Sequence, residues 1–208
     1  MKVNAVEQTR SPAGKLRVRL EDGSSLLLMP AVVGDFGLCA GAEVEERLLK
    51  EIRQANAAAS AKNRAVRIVS AAAVTRDELE KRLVRKGETP EDAKAAVQWL
   101  EELKLVDDRQ VAEQVVRSGA ARGYGAARIR QMLYAKGVPR EYWEEALEAL
   151  PEQADAIDDF LRRRFQGRQP DRNEWKKAAE ALLRRGHNWD DIRSGLERYA
   201  PEEEFFDE

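Results

Sequence analysis

The chain of 208 residues contains one cysteine and one histidine. Cys39 alone cannot form an internal disulfide, and such low cysteine usage suits a reducing compartment, so we expect a cytoplasmic protein. His187 alone excludes a His-rich metal site and most His-dependent catalytic triads. The sequence therefore offers no zinc set and no thiolate–imidazole pair. We expect a protein that is not an enzyme and that uses neither a metal nor a cofactor.

Long apolar runs are also absent. No stretch approaches the ~18 residues needed to cross a bilayer, and the N-terminal residues lack the apolar segment of a secretory signal. We therefore expect no membrane partner. A Gly-x-x-x-x-Gly-Lys-Ser/Thr phosphate loop is missing too, which excludes a P-loop ATPase.

Charge is abundant but unevenly distributed. Charged residues make up 36% of the chain and the formal net charge is −2. The net charge is +6 over residues 62–140, −8 over 141–160, +6 over 161–187 and −6 over 188–208. Such blocks suit a polyanionic partner, a protein surface that carries both signs, or a solvated helical surface that binds nothing.

The N-terminal residues have the alternation of β-strands. Leu16, Val18 and Leu20 alternate with basic residues, and Asp22-Gly23 is a hairpin turn signal. We predict a small β-hairpin, closed by Pro30, with a possible third strand at Lys2–Gln8. Residues 31–42 are predicted as a loop.

Helical signals follow. Residues 43–86 contain neither proline nor glycine, which favours helix. The pattern is compatible with one bent helix or with two, and the polar stretch around Lys62 is our predicted joint. The later start and stop signals divide the rest of the chain into helices at about 75–86, 90–104, 107–119, 125–136, 139–149, 152–166, 172–185 and 189–199.

These helices form an internal repeat. Gly87, Gly137 and Gly186 lie 50 and 49 residues apart, and each follows a basic residue. Leu83, Leu133 and Leu182 stand four residues before the three glycines. A fixed period with a matching apolar skeleton indicates tandem helical units.

We predict a mainly α fold in which tandem three-helix repeats form an elongated, curved body with a small N-terminal β-hairpin extension. The predicted divisions are the hairpin extension and loop at 1–42, a connecting helix at 43–61, repeats at 62–106, 107–150 and 151–200, and an acidic tail at 201–208. The tail, with Phe205-Phe206, reads either as disordered or as a short docking peptide.

Several strings resemble the RecX regulatory family. They are DELEKRLVRKG, LVDDRQVAEQVVRS, GYGAARIRQMLYAKGVPREYWEEAL and AAEALLRRGHNWDDIRSGL, and together they span roughly residues 65–198. That resemblance implies a modulator of the RecA recombinase that lodges in the groove of the RecA–single-stranded DNA filament. The implied effect is blocked filament extension or promoted disassembly, with lower ATPase, strand-exchange and co-protease activity in the SOS response.

The implied partners are the RecA filament and, weakly or through the filament, single-stranded DNA, with the protein acting as a monomer. Two other hypotheses remain open. One is a helical module that binds nucleic acid directly without a recombinase partner, and the other is a generic helical scaffold.

Basic and aromatic residues supply the contact candidates. Arginine pairs bidentately with carboxylate or phosphate, and tyrosine can stack on a base. The richest segment surrounds Gly123-Tyr124-Gly125, which we interpret as a flexible turn between helices, and His187 is expected to face solvent. The candidates are Arg82, Lys86, Arg117, Arg122, Tyr124, Arg128, Arg130, Lys136, Arg162, Arg163, Arg164, Arg184 and Arg185.

Overall fold

A computed structural model describes residues 1–10 and 13–199, and it divides after Val106 into two compact units. The predicted acidic tail at 201–208 lies outside the described residues. No helix in the described part of the chain is both long and apolar enough to cross a membrane.

The first unit begins with a three-stranded antiparallel sheet. Strands β1 (Val3–Gln8), β2 (Leu16–Leu20) and β3 (Ser25–Leu28) are paired in the order β1-β2-β3. Val18, at the centre of β2, faces Val6 on one side and Leu26 on the other and is fully buried. The predicted hairpin and its third strand are confirmed.

The prediction of a loop over residues 31–42 is wrong at its start. Helix α1 spans Pro30–Asp35, with the proline in its first turn, where a missing N–H costs nothing. Val32 and Val33 of this helix are buried in the core under the sheet. Pro30 therefore ends the sheet and starts a helix at once.

One continuous helix, α2 (Glu46–Ala71), crosses the predicted boundary between a connecting helix at 43–61 and the first repeat. That boundary is wrong because the proposed joint does not interrupt the helix. Ala61 is fully buried, and the Lys62 ammonium lies 5.0 Å from the centre of the Trp99 ring. The helix serves two cores, since Ile52 packs under the sheet and Ala65 packs in the first bundle.

The first three-helix bundle combines the C-terminal half of α2 with α3 (Arg76–Arg85) and α4 (Pro90–Glu102). The predicted N-caps are confirmed, because the Thr75 hydroxyl accepts from the Glu78 amide and the Thr89 hydroxyl from the Asp92 amide. The fully buried leucines of this core are Leu79, Leu83 and Leu100.

The second unit starts with a bundle of α5 (Asp108–Ala121), α6 (Ala126–Ala135) and α7 (Trp143–Glu148). The predicted helix over 139–149 begins instead with a 3-10 turn at Arg140–Tyr142 before α7. The Trp143 indole N–H donates to the Val138 carbonyl at 2.9 Å, which fixes this entry.

The last bundle contains α8 (Gln153–Phe165), α9 (Arg172–Arg184) and α10 (Trp189–Tyr199). Phe165, Trp175 and Tyr199 meet in a cluster of tilted and edge-on rings whose centres lie 5.0–5.7 Å apart. Asp171 and Glu174 form a complete capping box at the start of α9. The helices of both later bundles lie within a few residues of their predicted bounds.

Candidate partner-binding surfaces

The repeated glycines share one geometry. Gly87, Gly137 and Gly186 have φ values of +92°, +73° and +88°, the left-handed region that favours glycine. In each case the residue after the glycine donates its amide to the carbonyl of the repeated leucine, at 3.1–3.2 Å, as in a Schellman motif. The repeated leucines Leu83, Leu133 and Leu182 are fully buried. The internal repeat is therefore a repeat of helix ends.

A second repeated position is exposed. The residue three before the glycine is a large apolar side chain on every repeat: Val84 is 40% exposed, Tyr134 73% and Leu183 45%. The residue directly before the glycine is the cation Lys86, Lys136 or Arg185. Each of α3, α6 and α9 thus ends with an exposed apolar side chain beside a positive charge.

The end of α9 differs from the end of α3 because it is pressed against the start of α6. The amide of Gly125 donates to the Arg185 carbonyl at 2.9 Å, and the Ala127 amide donates to the Gly186 carbonyl at 3.2 Å. A Cβ on Gly125 would lie 2.2 Å from the Gly186 oxygen, and a Cβ on Gly186 would lie 2.3 Å from the Arg128 nitrogen. The segment predicted as a flexible turn is a close backbone junction between two bundles.

His187 is buried in this junction, with 4% of its surface exposed, and the prediction that it faces solvent is wrong. Its Nε2 lies 3.2 Å from the Gly123 carbonyl oxygen, while its Nδ1 has no hydrogen-bond partner among the described residues. Burial lowers the pKa of His187 below its ordinary value of 6.5, although the contact with Gly123 and the charge of Asp191 oppose that shift. The folded protein therefore favours the neutral imidazole of His187.

One basic surface of the second unit, which we call the second basic groove, has a volume of about 690 Å³. It lies between the end of α5, one face of α8 and the end of α9. Its lining includes Arg122, Phe160, Arg163, Arg164 and Arg185, together with one carboxylate, Asp159. Four predicted candidates are therefore gathered at one surface.

Contacts within the second basic groove hold two of its four arginines, Arg163 and Arg185, in place. The Arg185 guanidinium donates to the Arg122 carbonyl at 3.1 Å and lies 5.1 Å from the centre of the Phe160 ring. Arg163 lies 3.6 Å from the Asp159 carboxylate, which also pairs with Arg162 at 2.8 Å. Asp159 therefore neutralises part of the positive charge beside this groove.

The other candidates of the second unit lie outside the second basic groove, and most of them contact a residue on their own or a neighbouring helix. Arg117 pairs with Glu113, Arg130 with Glu144 and Arg184 with Glu180. Arg128 donates to Gln131 at 3.0 Å and lies 6.0 Å from the centre of the half-buried Tyr124 ring. Lys136 and Arg162 also lie outside the lining of the second basic groove.

The first unit has a basic surface of its own, the first basic groove, with a volume of about 680 Å³. It lies between the sheet, the C-terminal half of α2 and the end of α3. Five cations line it, with no carboxylate among the described lining residues: Lys15, Arg64, Arg67, Arg82 and Lys86. Its apolar lining includes Leu27, Met29 and Ile68.

Sequence reasoning found Arg82 and Lys86 but missed the other three cations of the first basic groove. Arg64 and Arg67 are three residues apart on α2, a spacing that puts both on one helix face. That spacing was the available signal. Lys15 lies far away in sequence, and only the packing of the sheet against α2 and α3 brings it to the groove.

Comparison with known proteins identifies the family. Residues 107–147 match the family model described as RecX, second three-helix domain. The chain is 33% identical over 139 residues to the Regulatory protein RecX of Chromohalobacter salexigens, an alignment that covers 66% of this chain and 91% of that protein. The chain belongs to the RecX family.

Other RecX proteins extend the match. The Regulatory protein RecX of Levilactobacillus brevis is 31% identical over 196 residues, which cover 91% of this chain and 73% of that protein. A crystal structure of a regulatory protein RecX superposes with a TM-score of 0.70 at 23% identity, covering 94% of this chain and 98% of that one. RecX from Lactobacillus salivarius gives a TM-score of 0.59 at 24% identity, covering 70% and 97% respectively.

Proposed function

We propose that this protein is a negative regulator of RecA that binds in the groove of the RecA–single-stranded DNA filament. Bound there, it blocks filament extension or promotes disassembly, and so lowers ATP hydrolysis, strand exchange and co-protease activity. Membership of a family of regulatory proteins supports the regulatory role. The RecA filament as the target is part of the proposal.

The observation that carries the proposal is the repeated helix end. Val84, Tyr134 and Leu183 are exposed apolar residues at one and the same repeat position, and each is followed two residues later by a cation. A partner made of repeating subunits offers the same contact several times. Several weak contacts in one molecule raise the local concentration of each site for the next, so no single contact needs to be strong.

The second basic groove supports a protein contact at its arginines. Two of its guanidinium groups are held in place, that of Arg185 by Phe160 and a backbone carbonyl and that of Arg163 by Asp159, so these two side chains lose little entropy on binding. Arginines held in this way beside an aromatic ring are typical of protein interfaces. We assign this groove to acidic side chains of the recombinase.

RecA-dependent ATP hydrolysis on single-stranded DNA, with this protein titrated in, tests the proposal. We expect inhibition at well below one molecule per RecA subunit, because blocking a filament end or severing a filament stops many subunits at once. Hydrolysis that stays unchanged up to equimolar protein contradicts the proposal.

A matched pair of variants tests the second basic groove. Replacement of Arg122, Arg163 and Arg164 by glutamine should raise the concentration for half-inhibition by about tenfold or more, since charged interface pairs contribute roughly 1.4 kcal/mol or more in total. The control replaces Arg172, Lys176 and Lys177, exposed cations of the same unit outside the groove, by glutamine. Equal inhibition by both variants contradicts the assignment.

A further inference from the structure

We infer that the first basic groove binds the phosphodiester backbone of single-stranded nucleic acid. This inference rests on the proposed function and deepens it by assigning a nucleic-acid site to the first unit. It is separate from the recombinase contact assigned to the second basic groove.

The cations of the first basic groove come from three separate parts of the fold. Lys15 precedes β2, Arg64 and Arg67 lie on α2, and Arg82 and Lys86 lie at the end of α3. Cations that are distant in sequence and face one concave surface raise the local potential above that of the same charges spread over a helix. A polyanion is the ligand class that such a surface attracts.

Three of these five cations are not neutralised by the protein. Lys15, Arg67 and Lys86 have no carboxylate partner within residues 1–10 and 13–199. Arg64 and Arg82 are braced instead, since they pair with Glu88 at 2.7 Å and with Glu78 at 2.5 Å. The groove therefore combines two positioned guanidiniums with three free cations that are available to phosphate.

The lining favours recognition of the backbone over recognition of bases. No aromatic residue is among the described lining residues, so the groove lacks the stacking platform that holds unpaired bases. Arginine and lysine contacts to phosphate fix a strand without reading its sequence. We therefore expect binding that is independent of sequence and strongly dependent on salt.

The size of the groove suits a short stretch of one strand. A volume of about 680 Å³ falls within the range of clefts that take small molecules, roughly 300–1,000 Å³. It has room for a short stretch of one strand between the sheet and the helices.

Fluorescence anisotropy of a labelled oligothymidylate, measured with the full-length protein at several salt concentrations, tests the inference. The groove variant replaces Lys15, Arg67 and Lys86 by glutamine, because none of these side chains braces the fold. The control replaces Lys50, Arg53 and Lys94, exposed cations of the same unit outside the groove, so that both variants lose the same charge. A labelled duplex and a labelled oligoglutamate serve as competing ligand classes.

We expect the groove variant to bind oligothymidylate about tenfold or more weakly than the control at low salt. The slope of log affinity against log salt should fall by about 2, since each phosphate contact on a single strand contributes about 0.7. Equal affinity and equal slope in the two variants overturn the inference. Loss of oligoglutamate binding alone overturns it as well, and assigns the groove to an acidic protein segment.

The outcome is separable from that of the proposed function. If the wild-type protein inhibits RecA-dependent ATP hydrolysis while oligothymidylate affinity is the same in groove variant and control, this inference fails and the proposed function stands. If oligothymidylate binding depends on the groove but ATP hydrolysis is unaffected by the wild-type protein, the nucleic-acid site stands and the recombinase target fails.

Discussion

The two basic grooves have nearly the same volume but differ in how their charge is held. The first basic groove contains no carboxylate among its described lining residues, and three of its five cations lack a carboxylate partner there. The second basic groove contains Asp159 and the Phe160 ring, and of its four arginines Arg163 contacts the carboxylate and Arg185 contacts the ring. A groove lined by cations without a carboxylate suits a polyanion, whereas a groove lined by arginines together with an acidic residue and an aromatic ring suits a protein surface.

The glycine ends of the helices give the same contrast between the units. Gly87 closes α3, and a Cβ there would meet no atom of residues 1–10 and 13–199 within 4 Å. Gly186 closes α9 in the same backbone conformation but against the backbone of α6. The same local structure thus serves in the packing between two bundles at Gly186.

The largest predicted effect comes from breaking that junction. Gly186→Ala should destabilise the second unit by about 2–4 kcal/mol, from about 1 kcal/mol for the left-handed conformation and 1–3 kcal/mol for the clash with Arg128. Gly87→Ala should destabilise the first unit by only about 1 kcal/mol, because it adds the strain of the left-handed conformation without a clash. Thermal unfolding followed by calorimetry measures both. Equal losses would show that the close contact at Gly186 contributes nothing.

A smaller effect is predicted for the charge of the second basic groove. Asp159→Asn removes its carboxylate and frees Arg162 and Arg163, so the groove should become more like the first one. We expect oligothymidylate affinity to rise by roughly threefold, because an exposed ion pair contributes about 0.2–1 kcal/mol. Anisotropy titrations of this variant and of the wild type measure the change. An unchanged affinity would show that Asp159 does not decide what the second basic groove binds.

The smallest effect concerns pH. Because burial lowers the pKa of His187 in the folded chain, stability is fully present above the ordinary pKa of 6.5 and is lost as the pH falls towards the lower folded-state pKa. The melting temperature of the second unit should therefore fall as the pH decreases below about 6.5.

His187→Gln provides the control for that prediction, since its amide can donate to the Gly123 carbonyl and does not titrate. The difference in melting temperature between neutral and mildly acidic pH should shrink in this variant. An identical pH dependence in both proteins would assign the effect to other groups.

Local structure was predictable because it is encoded locally. The Schellman ends at Gly87, Gly137 and Gly186, the caps at Thr75 and Asp171 and the three strands follow from residues within a few positions of one another. The predictions that were wrong concern features that depend on packing between elements, which cannot be read from the sequence. The joint in α2 was predicted from polarity alone, yet the burial of Ala61 and Ala65 in the first bundle keeps the helix continuous.

The candidate surfaces were predictable only in part for the same reason. Charge pattern identified Arg163, Arg164 and Arg185, but it did not distinguish them from Arg117 and Arg130, which line neither groove. No feature of the sequence identified Lys15 as a groove residue, because it reaches the first basic groove through the packing of the sheet on α2. Burial of His187 likewise depends on Gly125 and Gly186 approaching across two bundles, a contact between residues about 60 positions apart.

The most direct test of the division between the grooves combines two readouts on the same variants. The second-groove variant, with Arg122, Arg163 and Arg164 replaced by glutamine, should lose inhibition of RecA-dependent ATP hydrolysis while keeping its oligothymidylate affinity. The first-groove variant, with Lys15, Arg67 and Lys86 replaced, should lose oligothymidylate affinity at low salt. If both variants lose the two activities to the same extent, the grooves do not have separate partners and the account is contradicted.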